Sequence, residues 1–214
     1  IRVQKRNPNR VNIDLDGEFA FGLSRIVAAW LKVGDRLSDQ RVNELVASDT
    51  DEVIYQKALN LLSRRPYSAQ EIRSKLERKD YLTDQVDATI KRLAEAGLLA
   101  DDKFASQWVE NRNSNHPRSQ RLIRYELQRK GITNDVIDDA LAGSEQDSEL
   151  AYRAAVPYAR RLQQVDWLTF RKRLGGFLAR RGFSFATADP VVHQVWDLMK
   201  KGEGYFTKNE EFEK

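Results

Sequence analysis

The chain has 214 residues and no cysteine, which excludes disulfides, a cysteine-bound metal and thiol catalysis and fits a reducing cytosol. Apolar residues at 41% support a core, and charged residues at 32% imply wide exposed faces, as in helical repeat proteins. No run of about 18 apolar residues offers a transmembrane helix. The net charge is only +4, yet it is unevenly spread.

The sequence starts at Ile1 with no signal-peptide pattern, so an N-terminus that is missing or processed is expected. Ile1–Lys5 alternates and is followed by a turn signal over Arg6-Asn7-Pro8-Asn9-Arg10. Val11–Leu15 alternates with period two, Asp16-Gly17 turns, and Glu18–Phe21 continues. This predicts a small antiparallel hairpin or meander, too small to be stable without docking on the helices after it. Ser24 caps a predicted short helix through Leu31, with Ile26, Val27, Trp30 and Leu31 on its core face, and Gly34 ends it. Ser38 caps a second, Asp39–Ala47.

A helix over about Glu52–Arg64 follows, ended by Pro66. Ser68 with Glu71 is a capping box opening a helix to Lys79, and Thr83 caps the next, which stops at Gly97. Asp101 or Asp102 caps Lys103–Arg112; a helix start follows the paired carboxylates at once, which favours capping over catalysis or metal binding. Asn111–Ser119 reads as a loop, Ser119 caps Gln120–Lys130, and Thr133 or Asn134 caps a helix carrying Val136, Ile137, Ala140 and Leu141. Ser148–Leu162 is helical with a kink or early break at Pro157. Trp167–Arg180 contains Gly175-Gly176, for which close packing against a neighbour is the expected reason. Asp189-Pro190 is read as the start of the last helix, N-cap then first residue.

Three of these helices are copies of one pattern. EIRSKLERKDY at Glu71–Tyr81, RLIRYELQRKGI at Arg121–Ile132 and RLGGFLARRGF at Arg173–Phe183 align at a fixed period of 51 residues. The central leucines are Leu76, Leu127 and Leu178; Ile72, Ile123 and Leu174 precede them, and Lys79, Lys130 and Arg181 follow. Such a period marks a repeat array. The expected fold is mainly α: tandem three-helix repeats in three units, forming an elongated curved body, with a small N-terminal β-hairpin and two short helices. The domains expected are residues 1–50, the hairpin with its helices; 51–100, 101–146 and 147–202, the repeats; and 203–214, an acidic tail.

Charge concentrates in the later repeats. Arg112, Arg118, Arg121, Arg124, Arg129 and Lys130 face one carboxylate in their stretch, Glu126, for a net +5. Arg160, Arg161, Arg171, Lys172, Arg173, Arg180 and Arg181 face only Asp166, for a net +6. Residues from Gly202 onward carry −2. An arginine-rich middle suits a polyanion or an acidic protein surface; the plainer reading is a solvated helix face. No catalytic, metal or cofactor constellation stands out. His116 and His193 share no ligand spacing and read as surface or packing residues, and Gly175-Gly176 is not followed by a phosphate-loop lysine. Trp30, Trp108, Trp167 and Trp196 read as core, whereas Tyr205 and Phe206 are candidates for partner contact.

The run Ala58–Ser68 (ALNLLSRRPYS), then Glu71–Leu76, Leu98–Ala105 (LLADDKFA) and Arg124–Ile132 (RYELQRKGI) resemble the RecX family of regulatory proteins in order and spacing. The resemblance covers roughly residues 51–201. Asp80 stands where that family usually has glycine, and Ile1–Ala47 lies outside the resemblance. The likeness implies three tandem three-helix repeats and a cytoplasmic, non-enzymatic, monomeric regulator without cofactor. It implies binding to the RecA filament, lodged in its helical groove, and inhibition of ATPase, strand exchange and coprotease activity, with single- or double-stranded DNA met directly or through RecA. The thirteen basic residues above are then candidates for RecA or DNA contact. The alternative is a stand-alone nucleic-acid-binding helical repeat protein, since three-helix units resemble helix-turn-helix domains. An exposed recognition helix rich in Asn, Gln and Arg would favour it, and Val86–Gly97 and Val136–Gly143 are not of that kind.

Overall fold

The computed structural model describes residues 1–202. The chain divides into two compact units, Ile1–Ala100 and Asp101–Lys214. The first opens with an antiparallel sheet of three strands in sequence order, β1 (Arg2–Gln4), β2 (Asn7–Leu15) and β3 (Glu18–Ser24). Asp16 and Gly17 both take positive φ, the requirement of the tight turn that joins β2 to β3. The predicted turn at Arg6–Arg10 is shorter than expected, because β2 already begins at Asn7 and keeps Pro8 exposed near its start. Val11, Ile13 and Leu23 point to one face and form a small core with Ala28 and Leu45.

The helix predicted after the sheet is corrected. Only a 3-10 turn forms, Val27–Trp30. The Arg25 amide donates to the Asn9 carbonyl, so the sheet holds the chain up to that point, and too few residues remain before Gly34 for a stable helix. Ile26 is exposed and Trp30 is 88% exposed, so Trp30 is not a core residue.

The two helices expected at Asp39–Ala47 and Glu52–Arg64 are one, α1 (Asp39–Leu62), and residue 50 lies inside it. Ser48–Asp51 reads as a break because Ser, Asp and Thr compete with the helix by bonding to nearby backbone. Here those groups find other uses. The Asp49 carboxylate accepts from Arg10 Nη2 at 2.7 Å and the Ser24 amide at 2.5 Å, pinning α1 to the sheet. Thr50 Oγ1 donates back to the Val46 carbonyl at 3.0 Å. The C-terminal half of α1 then packs with α2 (Ala69–Glu77) and α3 (Thr83–Glu95) around Ile54, Ala58, Ile72, Leu76, Val86 and Leu93. Ser68 and Glu71 form the predicted capping box.

The second unit holds two further three-helix groups. The first is α4 (Asp101–Asn115), α5 (Gln120–Gln128) and α6 (Asn134–Leu141), closed around Phe104, Ala105, Val109, Ile123, Leu127 and Ile137. The second is α7 (Asp147–Ala159), α8 (Trp167–Arg180) and α9 (Phe185–Lys201), around Leu150, Ala155, Phe170, Leu174, Leu178 and Val195. The fold is therefore mainly α, with tandem three-helix groups and a small N-terminal sheet. Pro157 is carried within α7, which gives way two residues later to a 3-10 turn at Arg160–Leu162. The start read at Asp189-Pro190 is corrected: α9 begins at Phe185, capped by Ser184, whose hydroxyl accepts from the Thr187 amide. Pro190 sits inside its second turn, where it removes one backbone bond. Asp189 instead faces Arg171 of α8 at 2.9 Å.

The 51-residue period is a structural period. Leu76, Leu127 and Leu178 are all buried. Asp80, Gly131 and Gly182, at the same place in each copy, all have positive φ, at 59°, 79° and 88°. Asp80 thus adopts the left-handed turn that its two counterparts reach with glycine. Aspartate is among the few residues that tolerate it.

Candidate functional site

The basic residues singled out in the sequence divide into two sets. The first is built into the protein. Glu126 of α5 is only 15% exposed and accepts from Arg112 Nε at 2.9 Å and Trp108 Nε1 at 2.9 Å, and pairs with Arg118. Arg112 and Lys130 also lie over the Trp108 ring, at 4.2 and 4.3 Å. Burial pushes Arg112, Arg118 and Arg181 below the ordinary arginine value, and for Arg118 the neighbouring Arg112 and Arg181 add to it. Arg181 Nη1 donates to the Pro117 carbonyl at 3.0 Å, its own carbonyl accepts from the Ser119 amide at 3.0 Å, and its guanidinium covers Phe177. These contacts join the two three-helix groups of the second unit. Arg121 Nη2 adds a long bond, 3.4 Å, to the Gly182 carbonyl.

The second set faces solvent. Arg129, Arg161, Lys172, Arg173 and Arg180 are exposed, and among the described residues none shows an ion pair. Arg129 lies 5.9 Å from the Tyr125 ring. Arg160 is also exposed and is engaged locally. Arg124 pairs with Asp138 and Arg171 with Asp189, both at partly exposed positions. Lys172, Arg173 and Arg180 all project from α8, which gives the last three-helix group the densest free positive charge.

One ion pair repeats with the period. Arg73 pairs with Asp87, and Arg124, 51 residues on, pairs with Asp138, each bridging the second and third helices of its group. The third copy keeps the acid as Asp189 but has Gly175 in place of the arginine. Asp189 is caught instead by Arg171, one turn earlier on α8. The close packing expected at Gly175-Gly176 is absent. A Cβ at Gly175 would meet nothing within 4 Å, and one at Gly176 only Arg180 Nη1, at 3.5 Å. A groove of about 500 Å³ opens there, lined by Leu168, Arg171, Lys172, Gly175, Phe185 and Val192 among others. Leu168 and Phe185 on its lips are exposed.

Sequence reasoning did not find this groove, although the period held its signal: an arginine lost from a position where two copies keep one. It also missed the exposed apolar residues Ile26, Trp30 and Val33. Trp108, Trp167 and Trp196 are half-buried against their cores, as read. His116 is exposed after α4, and His193 lies 3.7 Å from Asp189 and 4.6 Å from the Trp167 ring. Among the described residues no group of three or more His, Asp or Glu is placed to hold a metal ion, and no helix is long and apolar enough to cross a membrane. The tail residues Tyr205 and Phe206 lie outside the described residues.

Family models match most of this architecture. The RecX N-terminal domain matches residues 1–38, the first RecX three-helix domain residues 55–93 and the second residues 101–141. A regulatory protein RecX of Chlorobium phaeobacteroides is 33% identical over 151 residues, covering 71% of this chain and 99% of its own length. The chain belongs to the RecX family. Regulatory proteins RecX of Leuconostoc mesenteroides and of Clostridium botulinum (strain Alaska E43) are each 28% identical, over 91% and 92% of this chain and 74% and 95% of their own lengths. A crystal structure of regulatory protein RecX superimposes with a TM-score of 0.70 at 26% identity, covering 92% of this chain and 96% of the other. RecX from Lactobacillus salivarius shares the fold, with a TM-score of 0.59 at 24% identity over 71% of this chain and 99% of its own. The match at residues 1–38 corrects one expectation: the N-terminal sheet is part of the RecX family pattern and not an extension outside it.

Proposed function

We propose that this RecX-family chain is a non-enzymatic, monomeric cytoplasmic regulator that binds the RecA filament on DNA. It lodges in the helical groove of the filament and inhibits ATP hydrolysis, strand exchange and coprotease activity. Membership of a family of regulatory proteins carries this reading. The solvent-facing cations support it and narrow the contact set. Arg129, Arg161, Lys172, Arg173 and Arg180 are available to carboxylates of RecA or to phosphates of its DNA, as charge-assisted hydrogen bonds. Arg112, Arg118 and Arg181 act from within, because their guanidiniums already serve Glu126 and the Pro117 carbonyl. A chain bridging neighbouring RecA protomers would resist the rearrangement that accompanies ATP turnover.

The test is binding to a fluorescently labelled single-stranded oligonucleotide, alone and coated with RecA, across a salt series. Binding to the coated strand at least several-fold tighter than to the bare strand is expected. Equal affinity for both, with a steep salt slope, would instead identify a stand-alone nucleic-acid-binding protein.

A further inference from the structure

The third copy of the repeat breaks the pattern of the other two at one point, and the break has a shape. Where Arg73 and Arg124 cross from the second helix to an aspartate on the third, Gly175 leaves backbone. Two adjacent glycines in a helix interior disfavour the helix, and here no neighbour packs onto Gly175 in return. What the glycines produce is the floor of an apolar groove. Leu168 and Phe185 stand exposed at its edges, Ala188 and Val192 line its wall, and Arg171 and Lys172 stand at its rim. Its volume, about 500 Å³, lies in the range of ligand-sized clefts. Its chemistry suits an acidic segment with an aromatic anchor.

This chain contains such a segment. Residues 203–214 carry Tyr205, Phe206 and Phe212 among Glu203, Glu210, Glu211 and Glu213. We propose that this segment docks in the groove between α8 and α9 of its own chain, an aromatic side chain over Gly175 and its carboxylates toward Arg171 and Lys172. The reach is sufficient. Trp167 meets Trp196 and Arg171 meets Asp189, so α8 and α9 run antiparallel and the groove lies back along α9 from Gly202. Val192 is about 15 Å from Gly202 along the helix, a distance that about five extended residues cover. Being tethered raises the effective concentration of the segment to roughly millimolar, so modest contacts suffice. Docking itself is independent of the RecA reading. Its consequence rests on that reading: the docked segment covers Lys172, so a partner that uses this cation must displace it.

The test places the photo-crosslinker p-benzoylphenylalanine at position 206 of the full chain, without RecA or DNA, and maps products by mass spectrometry. Cross-links within one molecule to Leu168, Gly176, Ala179 or Phe185 are expected. They should fall several-fold in Gly175→Leu, which fills the groove, and in Lys172→Glu, which leaves it open but reverses its charge; helical circular dichroism checks both folds. Cross-linked dimers would assign the groove to a second copy and overturn the proposal. So would products elsewhere on the chain, no product, or yields unchanged by both variants. None of these outcomes touches the RecA assays, so the two readings fail separately.

Discussion

Gly175 and Gly182 are seven residues apart and do opposite things. Gly182 has φ of 88°, and a Cβ there would sit 2.5 Å from Ser119 Oγ and 2.6 Å from Leu122 Cβ, where α8 turns against α5. Gly175 is ordinary helix beside open space. Gly175→Ala is therefore expected to stabilise the chain by about 0.5–1 kcal/mol, the helix preference of alanine over glycine. Gly182→Ala is expected to destabilise it by more than about 1 kcal/mol, since the left-handed conformation and the clash both oppose it. Thermal melts of the two variants check the pair, and the same sign for both would contradict the assignment. Glu126 is the other decisive residue. Glu126→Gln keeps an acceptor for Trp108 but leaves Arg112 and Arg118 without a counter-charge. Arg112 is 18% exposed and Arg118 33%, so solvent relieves only part of that loss. A cost of about 3 kcal/mol is expected, read as a lowered urea midpoint.

At the level of elements, the caps explain most boundaries. Ser68, Ser119, Asp166 and Ser184 each accept from an amide three residues on. The Asp166 carboxylate accepts from both the amide and hydroxyl of Thr169, which holds it below the usual aspartate range. A depressed folded-state value contributes stability above the unfolded value, about 3.9, that is lost as pH falls through the folded one. Asp166→Ala should lower the melting temperature at neutral pH, and its gap to the native chain should close progressively in acid below about pH 3.9. A gap independent of pH would show that the carboxylate charge has no part in the cap. The helices with strong apolar spacing were legible in the sequence, and the bounds of α8 at Trp167 and Arg180 match the expectation. The failures have one cause. Asp49, Trp30 and Asp189 were judged by local rules, but their places are set by tertiary partners or by the lack of them: Arg10 and the sheet for Asp49, Arg171 for Asp189, and no packing partner for Trp30. Ser184 was recoverable, since it stands 51 residues after the predicted cap Thr133.

For the whole molecule, the repeat shows how one pattern carries different duties. The first two copies close the gap between their second and third helices with an Arg–Asp pair, while the third opens it and gathers free cations along α8. Net charge pointed to the right region of the chain but not to the right residues. Composition counts Arg112 and Arg118 equally with Lys172 and Arg173, and only the position of Glu126 separates them. The family places the chain among regulators, and the exposed α8 cations are where we expect the regulated partner to be met. The most direct measurement is RecA-driven ATP hydrolysis on single-stranded DNA, titrated with the native chain and with the Lys172→Glu, Arg173→Glu double variant. The native chain is expected to suppress hydrolysis, and the variant to need a concentration at least several-fold higher while keeping its helical circular dichroism. Hydrolysis unaffected by saturating native chain would contradict the proposed function, and equal potency of the two proteins would remove α8 from the contact.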